Sequence, residues 1–567
     1  MFPVAFTPKL FSLLRQGYTL STLKADILAG LTVAIVALPL SMALGIASGA
    51  SPDKGLITAV IAGFLISFLG GSRFQIGGPT GAFIVVVFNV IAQYGFDGLI
   101  LATFLAGLIL IVAGYAKLGQ VIKYIPYPVV TGFTAGIAVI IASSQIKDFL
   151  GLTIPDLPAE FIEKWHAYFE HIDTFSPISF AVGLVALLII VGLKKFWPKS
   201  PSYLMAVVLT AVGVFVFNLP VETIGSKYAD MPSGLPMPHL PLWDFDKFIS
   251  IIPSAFTIAF LAGIESLLSA VVADGMTGYK HRSNQELVGQ GVANIASAFF
   301  GGLPATGAIA RTVTNIKAGG QTPVAGMAHA IFIFLFILFA IDIMAFVPLV
   351  ALSAILFIVA WNMSEIQHFI HIFRLSKGDR IVMLLTFALT VLVDLTVAIG
   401  IGVTLASLLF MREMSNSATL RSQGRHIRDA FNDTQEDVEQ RDDLPLGVEV
   451  FRITGPIFFG VAGTMLETLK SMGEAPKILI IRMKLVPYMD VAGLNAMKNL
   501  IKECHDHDTK VILCGLQSQP AEMLEKADLN DNQENLWIFE RYDKAITQAR
   551  LMITTPPKKG DQTGDEA

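Results

Sequence analysis

The sequence predicts a polytopic α-helical membrane protein of about 14 spanning or half-spanning segments, followed by a small α/β domain. Three observations predict this fold class. Hydrophobic residues make up 53% of the chain and charged residues 15%, with a mean hydropathy of +0.63; soluble domains carry about 25% charged residues. The apolar residues gather in runs near the ~20 needed to cross a bilayer. After Met411 the character changes abruptly, first to a polar and charged stretch and then, from Gly447, to alternating strand and helix patterns.

The organisation expected along the chain is a cytoplasmic N-terminus (1–26), a membrane domain (27–411), a linker (412–444), a cytoplasmic domain (445–553) and a disordered tail (554–567) rich in Pro, Lys, Gly and Asp. Residues 1–24 lack the short apolar core and small-residue cleavage site of a signal peptide, so the first apolar run, 27–47, is expected to remain as a spanning helix. With the N-terminus inside and segments alternating, the inner loops hold Lys117 and Lys123; Lys194, Lys195 and Lys199; Lys280 and Arg282; Lys317; and Arg374, Lys377 and Arg380. The outer loops spread Lys54, Lys147, Lys164, Lys227 and Lys247 over more sequence and add Asp148, Glu160, Glu222 and Asp342. This asymmetry obeys the positive-inside rule. An even number of segments leaves the C-terminal domain in the cytoplasm. That placement agrees with the only two cysteines, Cys504 and Cys514, being free thiols there. The net charge of -5 says little, and no nucleic-acid partner is expected.

Two stretches in the membrane domain look alike. One is Gly70-Gly71-Ser72-Arg73-Phe74-Gln75-Ile76-Gly77-Gly78-Pro79-Thr80-Gly81-Ala82-Phe83; the other is Phe300-Gly301-Gly302-Leu303-Pro304-Ala305-Thr306-Gly307-Ala308-Ile309-Ala310-Arg311. Each joins Gly and Pro to a Thr-Gly-Ala triplet and runs into a short apolar segment, the third and the tenth by hydropathy. An odd separation of seven segments gives the two halves inverted topology. Matched, Gly/Pro-interrupted short segments are the strongest sequence pointer to a transporter's binding site. A helix that starts at mid-membrane leaves its first N–H groups and positive dipole end exposed, and two such ends facing each other attract an anion with few charged side chains. The competing reading is a pair of ordinary loops or kinks.

Arg311 follows the second triplet within one helical turn and can reach the space before that helix start. Charges inside a membrane are costly and usually functional; the alternative is a structural partner for a helix end or an acid. Glu265 is the other intramembrane charge, in Leu261-Ala262-Gly263-Ile264-Glu265-Ser266-Leu267-Leu268-Ser269, with Ser269 on the same helical face. A desolvated carboxyl group can carry a proton. With Ser269 and backbone carbonyls it could instead hold Na⁺, and the bland alternative is a fixed Glu–Arg pair. Asp274 and Asp394 read as helix-end residues. His281, His329, His505 and His507 are scattered and read as loop or surface histidines; with no metal cluster, nucleophile triad or nucleotide loop, no enzyme and no resident cofactor is expected.

In the C-terminal domain, 447–457 alternates like a strand, while 477–482 and 510–514 read as buried strands with helices between. A mixed sheet packed with helices is expected.

These residues together identify the chain as similar to the sulfate permease (SulP) family of anion transporters. The likeness runs through Asp26-Ile27-Leu28-Ala29-Gly30-Leu31-Thr32-Val33-Ala34-Ile35, residues 77–82, 264–274, Asn284-Gln285-Glu286-Leu287-Val288-Gly289-Gln290-Gly291 and 301–320, and the C-terminal part resembles that family's STAS domain. The resemblance implies about 14 segments in two intertwined inverted repeats, core and gate subdomains, an elevator-like motion, a homodimer, and a bacterial inner-membrane location. It carries the anion site onto Thr80, Gly81, Ala82, Thr306, Gly307, Ala308 and Arg311, and the coupling-ion position, for H⁺ or Na⁺, onto Glu265 with Ser269. One departure stands out: where many sulfate-moving members have Gln after the first-segment Pro, this chain has Pro39-Leu40. With Asp274-Gly275-Met276-Thr277-Gly278 and Ala360-Trp361-Asn362-Met363-Ser364-Glu365, that departure ranks C4-dicarboxylates such as fumarate or succinate first, with sulfate and bicarbonate close behind. Related signalling domains carry a phosphorylatable Ser after an Asp at the strand-to-helix turn; here the turn is Asp490-Val491-Ala492-Gly493, so Asp490 is expected to cap a helix. A cytosolic protein partner for the domain stays open. So do an uncoupled exchanger or channel on the same fold and, from another class, a receptor or scaffold.

Overall fold

A computed structural model describes residues 6–120, 125–155, 157–158, 160–198, 200–228, 234–240, 245–393, 395–417, 419–422, 444–458, 476–529, 531 and 535–554. Most of the expected linker, the tail from 555, and Lys123, Lys199 and Asp394 lie outside the described residues. The chain divides into two compact units, Met1–Ala406 and Ser407–Ala567.

The first unit is helical. A short α1 (Lys9–Gln16) precedes α2 (Leu20–Ala47), α3 (Pro52–Leu69), strand β1 (Gly77–Gly78), α4 (Ile84–Tyr115), α5 (Tyr127–Ser144), α6 (Pro177–Phe196), α7 (Ser202–Val216) and α8 (Phe245–Thr277). Then come α9 (Ser283–Phe299), strand β2 (Thr306–Gly307), α10 (Ile309–Lys317), α11 (Val324–Ala340), α12 (Leu349–Met363), α13 (Lys377–Leu392) and α14 (Leu395–Ser417). Among the described residues nine helices are long and apolar enough to cross a membrane. Shorter helices α7, α9, α10 and α13 lie between them, and the helical geometry of α4 breaks at Gly95.

Local sequence explains several helix starts. Thr19 opens α2 by accepting the Thr22 N–H at 3.2 Å, and Pro52 and Pro177 occupy first-turn positions of α3 and α6, where a missing N–H costs nothing. Helices α6 and α7 leave Leu188, Val191, Leu209 and Phe215 exposed, the apolar exterior expected of a lipid-facing surface. Inside, small residues let backbones touch: a Cβ on Gly107 in α4 would lie 2.6 Å from the Gly291 carbonyl oxygen in α9, and one on Gly291 would lie 2.5 Å from that of Gly107. Such close approach, rather than greasy bulk, is what holds helices together in lipid.

The second unit holds a five-stranded sheet ordered β3 (Thr419–Ser422), β4 (Val448–Thr454), β5 (Ile478–Leu485), β6 (Lys510–Cys514) and β7 (Leu536–Phe539). The β3–β4 pairing is antiparallel and the others are parallel. Alternate residues face opposite cores. Phe451, Leu479, Ile481 and Leu513 pack with Met497, Leu500 and Ile501 of α15 (Val491–Asp506) and Leu524 of α16 (Ser518–Glu525), while Val450, Ile480 and Ile512 pack with Ala545 and Ala549 of α17 (Tyr542–Thr554). A sheet covered on both faces explains why 477–482 and 510–514 read as continuous apolar runs. Asp490 caps α15 as expected, its Oδ1 accepting the Gly493 N–H at 2.7 Å.

Candidate functional site

The two look-alike stretches meet. Strands β1 and β2 pair antiparallel, Gly77 opposite Gly307 and Gly78 opposite Thr306, although the partners stand 230 and 228 positions apart in the chain. Immediately after each strand a helix begins. Thr80 opens the 3₁₀ turn Gly81–Phe83 that leads into α4, and Ala308 opens α10; no side chain caps either start. Two helix N-termini with their first N–H groups free of side-chain caps therefore lie on either side of one small crossing, an arrangement that favours a negative charge.

Neighbouring helices fasten this crossing. Ala308 N–H donates to the Ile76 carbonyl at 2.8 Å and Ile76 N–H to Thr312 Oγ1 at 3.1 Å. Thr306 Oγ1 donates to the Ala262 carbonyl on α8 at 2.8 Å. Gly78 has φ +146°, and a Cβ there would sit 2.4 Å from Arg311 Nη1, so the position needs glycine for both its backbone and its space. A Cβ on Gly81 would lie 2.8 Å from Met363 Sδ and 3.2 Å from Ile141 Cδ1, which places α12 and α5 against the start of α4.

Arg311 is 2% exposed and reaches across the crossing rather than into the space before its own helix: Nη1 donates to the Gly77 carbonyl at 3.5 Å and Nη2 to the Pro79 carbonyl. Glu265, half-buried on α8, accepts the Thr80 hydroxyl at 2.7 Å, so the carboxylate bonds directly to the residue that opens the α4 end. The hydrogen-bond partner of Glu265 is thus Thr80, while the Arg311 guanidinium is bonded to the Gly77 and Pro79 carbonyls. Ser269 lies one turn along the same helix from Glu265. It lies buried on α8, but its hydroxyl donates to Thr312 Oγ1 on α10 at 3.2 Å, because one turn along α8 the facing element is α10. Glu265 and Thr80 thus place a carboxylate and a hydroxyl oxygen side by side. Among the described residues no cluster of three His, Cys, Asp or Glu side chains forms a metal centre.

Sequence reasoning missed the residues that hold the irregular backbone. Glu286 on α9 is 0% exposed; its Oε2 accepts the N–H groups of Gly71 and Ser72 at 2.7 and 3.0 Å, and its Oε1 accepts Ser266 Oγ and Gln290 Nε2 at 3.0 and 2.9 Å. Asn294 bonds both polar groups of Ala305, each at 2.8 Å, and Ser297 donates to the Leu303 carbonyl at 2.7 Å. The signal was available: Glu286, Gln290, Asn294 and Ser297 recur at helical spacing along one face. Asp26 does similar work at the start of α11, accepting the N–H groups of Gln321 and Thr322 at 2.6 and 3.0 Å. One histidine departs from the loop-or-surface reading: His329 is wholly buried in α11. His281 lies in the loop between α8 and α9, where its Nδ1 pairs with Asp274 Oδ2 at 2.7 Å.

The comparisons with known proteins agree over nearly the full length. A model of the Sulfate permease family matches residues 23–386, and one of the STAS domain matches 437–545. The chain belongs to the sulfate permease family. It is 41% identical over 531 residues to a protein of Bacillus subtilis named "Putative sulfate transporter YvdB", covering 93% of this chain and 98% of that protein. It is 33% identical over 527 residues to the bicarbonate transporter BicA of a Picosynechococcus strain, covering 89% and 91%. Among solved structures, the transmembrane domain of a cyanobacterial BicA aligns with a TM-score of 0.61 at 31% identity, covering 69% of this chain and 98% of that one. The overall structure of SLC26A9 aligns with a TM-score of 0.85 at 18% identity over 97% and 93%, a likeness of fold. As a sulfate permease family member the chain is a multi-pass anion transporter with a C-terminal STAS domain, and not an enzyme.

Proposed function

We propose that this chain is a secondary active transporter that holds a small anion between the starts of α4 and α10 and couples its movement to H⁺ or Na⁺ through Glu265. The observation that carries the reading is the β1–β2 crossing, which sets two side-chain-uncapped helix ends beside Arg311 and Thr80, with Thr80 bonded to Glu265. Gly81, Ala82, Gly307 and Ala308 contribute backbone rather than side chain; Thr306 fastens β2 to α8, and Ser269, one turn from Glu265, ties the coupling site to α10 through Thr312. Occupancy at Glu265 competes with the Thr80 hydroxyl, so ion binding alters the α4 end directly. That is a physical link between ion and anion.

The motion proposed is an elevator displacement of the elements bearing the site, in a homodimer whose STAS domain faces the cytoplasm of a bacterial cell and meets a protein partner there. C4-dicarboxylates are the first candidates. The stretch that raised them includes Met363, whose thioether lies against Gly81. Sulfate and bicarbonate, named for the relatives, are the competitors. Uptake of labelled fumarate, sulfate and bicarbonate into proteoliposomes with imposed pH or Na⁺ gradients tests this. Gradient-driven accumulation of one of them is expected; anion movement indifferent to either gradient would replace coupling with simple exchange.

A further inference from the structure

Lys164 is a cation that the reading above leaves unused. It lies in the helix Phe161–Glu170 between α5 and α6, in the loop that the charge asymmetry assigns to the outside, yet it is only 4% exposed. Lysines in such loops ordinarily lead their charge back to water, and a buried ammonium is ordinarily paired with a carboxylate. Lys164 does neither. Its Nζ donates to Oγ of Ser144, the last residue of α5, at 3.1 Å, and stands 5.6 Å from the centroid of the Phe88 ring on α4. Ser144 is neutral, and its own proton goes to the Ile140 carbonyl at 2.9 Å. Glu160, Glu163 and Glu170 of the same helix are exposed, and among the described residues no carboxylate pairs with Lys164. Burial alone pushes its ammonium down to about 8, which leaves it charged at neutral pH. Tyr168, one turn on, pins the same helix face to α5 by donating to the Ser143 carbonyl at 2.9 Å. The Ser143 hydroxyl is buried with no hydrogen-bond partner in the protein.

Both neighbours of the ammonium belong to elements that touch the α4 start. A Cβ on Gly81 would lie 3.2 Å from Cδ1 of Ile141 on α5. Ser144 follows Ile141 by three residues, about 5 Å further along α5, and Phe88 follows Ile84 by four, about 6 Å into α4. The contact between α4 and α5 thus begins at the helix end that opens the anion site and reaches Lys164 about one turn later.

We propose that the Lys164 ammonium is an outer binding station for the transported anion, between external water and the starts of α4 and α10. This rests on the anion reading above and deepens it. A buried cation with no carboxylate beside it attracts a mobile anion as its counter-charge, and an oxygen-rich anion accepts the ammonium N–H groups that Ser144 leaves open. A carboxylate at the position of Ser144 would hold the ammonium permanently and close the station. The neutral hydroxyl positions it and leaves its charge uncompensated.

The test follows labelled sulfate and labelled fumarate into right-side-out and inverted membrane vesicles from a bacterial host expressing the full chain, at neutral pH. Lys164→Gln should raise the KM for anion presented at the outer face about tenfold, with little change in maximal rate and none in the KM from the inner face. Lys164→Arg should restore the outer KM. An unchanged outer KM in Lys164→Gln, or a rise as large from the inner face, overturns the proposal and leaves the anion reading standing. A wild type that moves neither anion from either face overturns both. Should Lys164→Gln fail to fold, Ser144→Asp supplies the missing carboxylate while keeping the cation. A raised outer KM in that variant supports the station, and an unchanged one overturns it.

Discussion

At the scale of single residues, Glu265 and Thr80 form the contact from which most follows. A carboxylate bonded at 2.7 Å to the residue that opens α4 must change that bond when it takes a proton or a cation. Glu265→Gln keeps the shape but removes the charge. Accumulation driven by a pH or Na⁺ gradient should fall to the level without a gradient, while exchange of labelled for unlabelled anion continues; normal driven uptake in this variant would remove Glu265 from coupling. The cysteines of the STAS domain behave differently. Burial pushes the Cys504 thiol up to about 12, with Glu503 adding to the shift, and the Cys514 thiol up to about 11 despite the opposing Arg482. The thiolate is the reactive form, so raising pH is what creates it. Maleimide labelling of folded protein should be negligible at neutral pH, even though both thiols are free, and should accelerate only as pH climbs toward those values or on unfolding.

At the scale of elements, α9 determines whether the irregular backbone before each helix start can exist inside a membrane. Buried N–H and C=O groups need partners, and Asn294 supplies both for Ala305. Asn294→Leu should destabilise the first unit by on the order of 2–4 kcal/mol, read as a lowered midpoint in thermal unfolding of the detergent-solubilised protein, and should weaken anion binding with it. The β1–β2 crossing is equally demanding. Gly78→Ala places a methyl group 2.4 Å from Arg311 Nη1 at a backbone angle that disfavours side chains, and should reduce transport at least tenfold with little change in membrane insertion. The element-level reading of the sequence succeeded where one short segment carried the signal, as in the Asp490 cap and the apolar strands β5 and β6. It missed α9, because the partners of Glu286 and Asn294 include backbone groups that carry no mark in their own sequence.

At the scale of the whole molecule, the helical unit and the STAS unit have separate hydrophobic cores. Separate cores need not melt together. Calorimetry of the intact chain should resolve two transitions, and Asp490→Ala should lower the STAS transition alone, by about 1 kcal/mol. A single transition shifted as a whole would show that the units unfold as one.

What the sequence determined by itself was the membrane character, the presence of a separate α/β domain, and the two Gly/Pro-marked places where helices start. Those follow from hydropathy, strand and helix periodicity, and the backbone demands of Gly and Pro, which act over a few neighbouring residues. Only the tertiary structure decided that the two places pair strand to strand, that Arg311 reaches over to the opposite stretch, and that Thr80 rather than Arg311 bonds Glu265. Each of these joins residues far apart in the chain, and their proximity is set by close glycine-mediated helix packing and by the need to pair every buried backbone group.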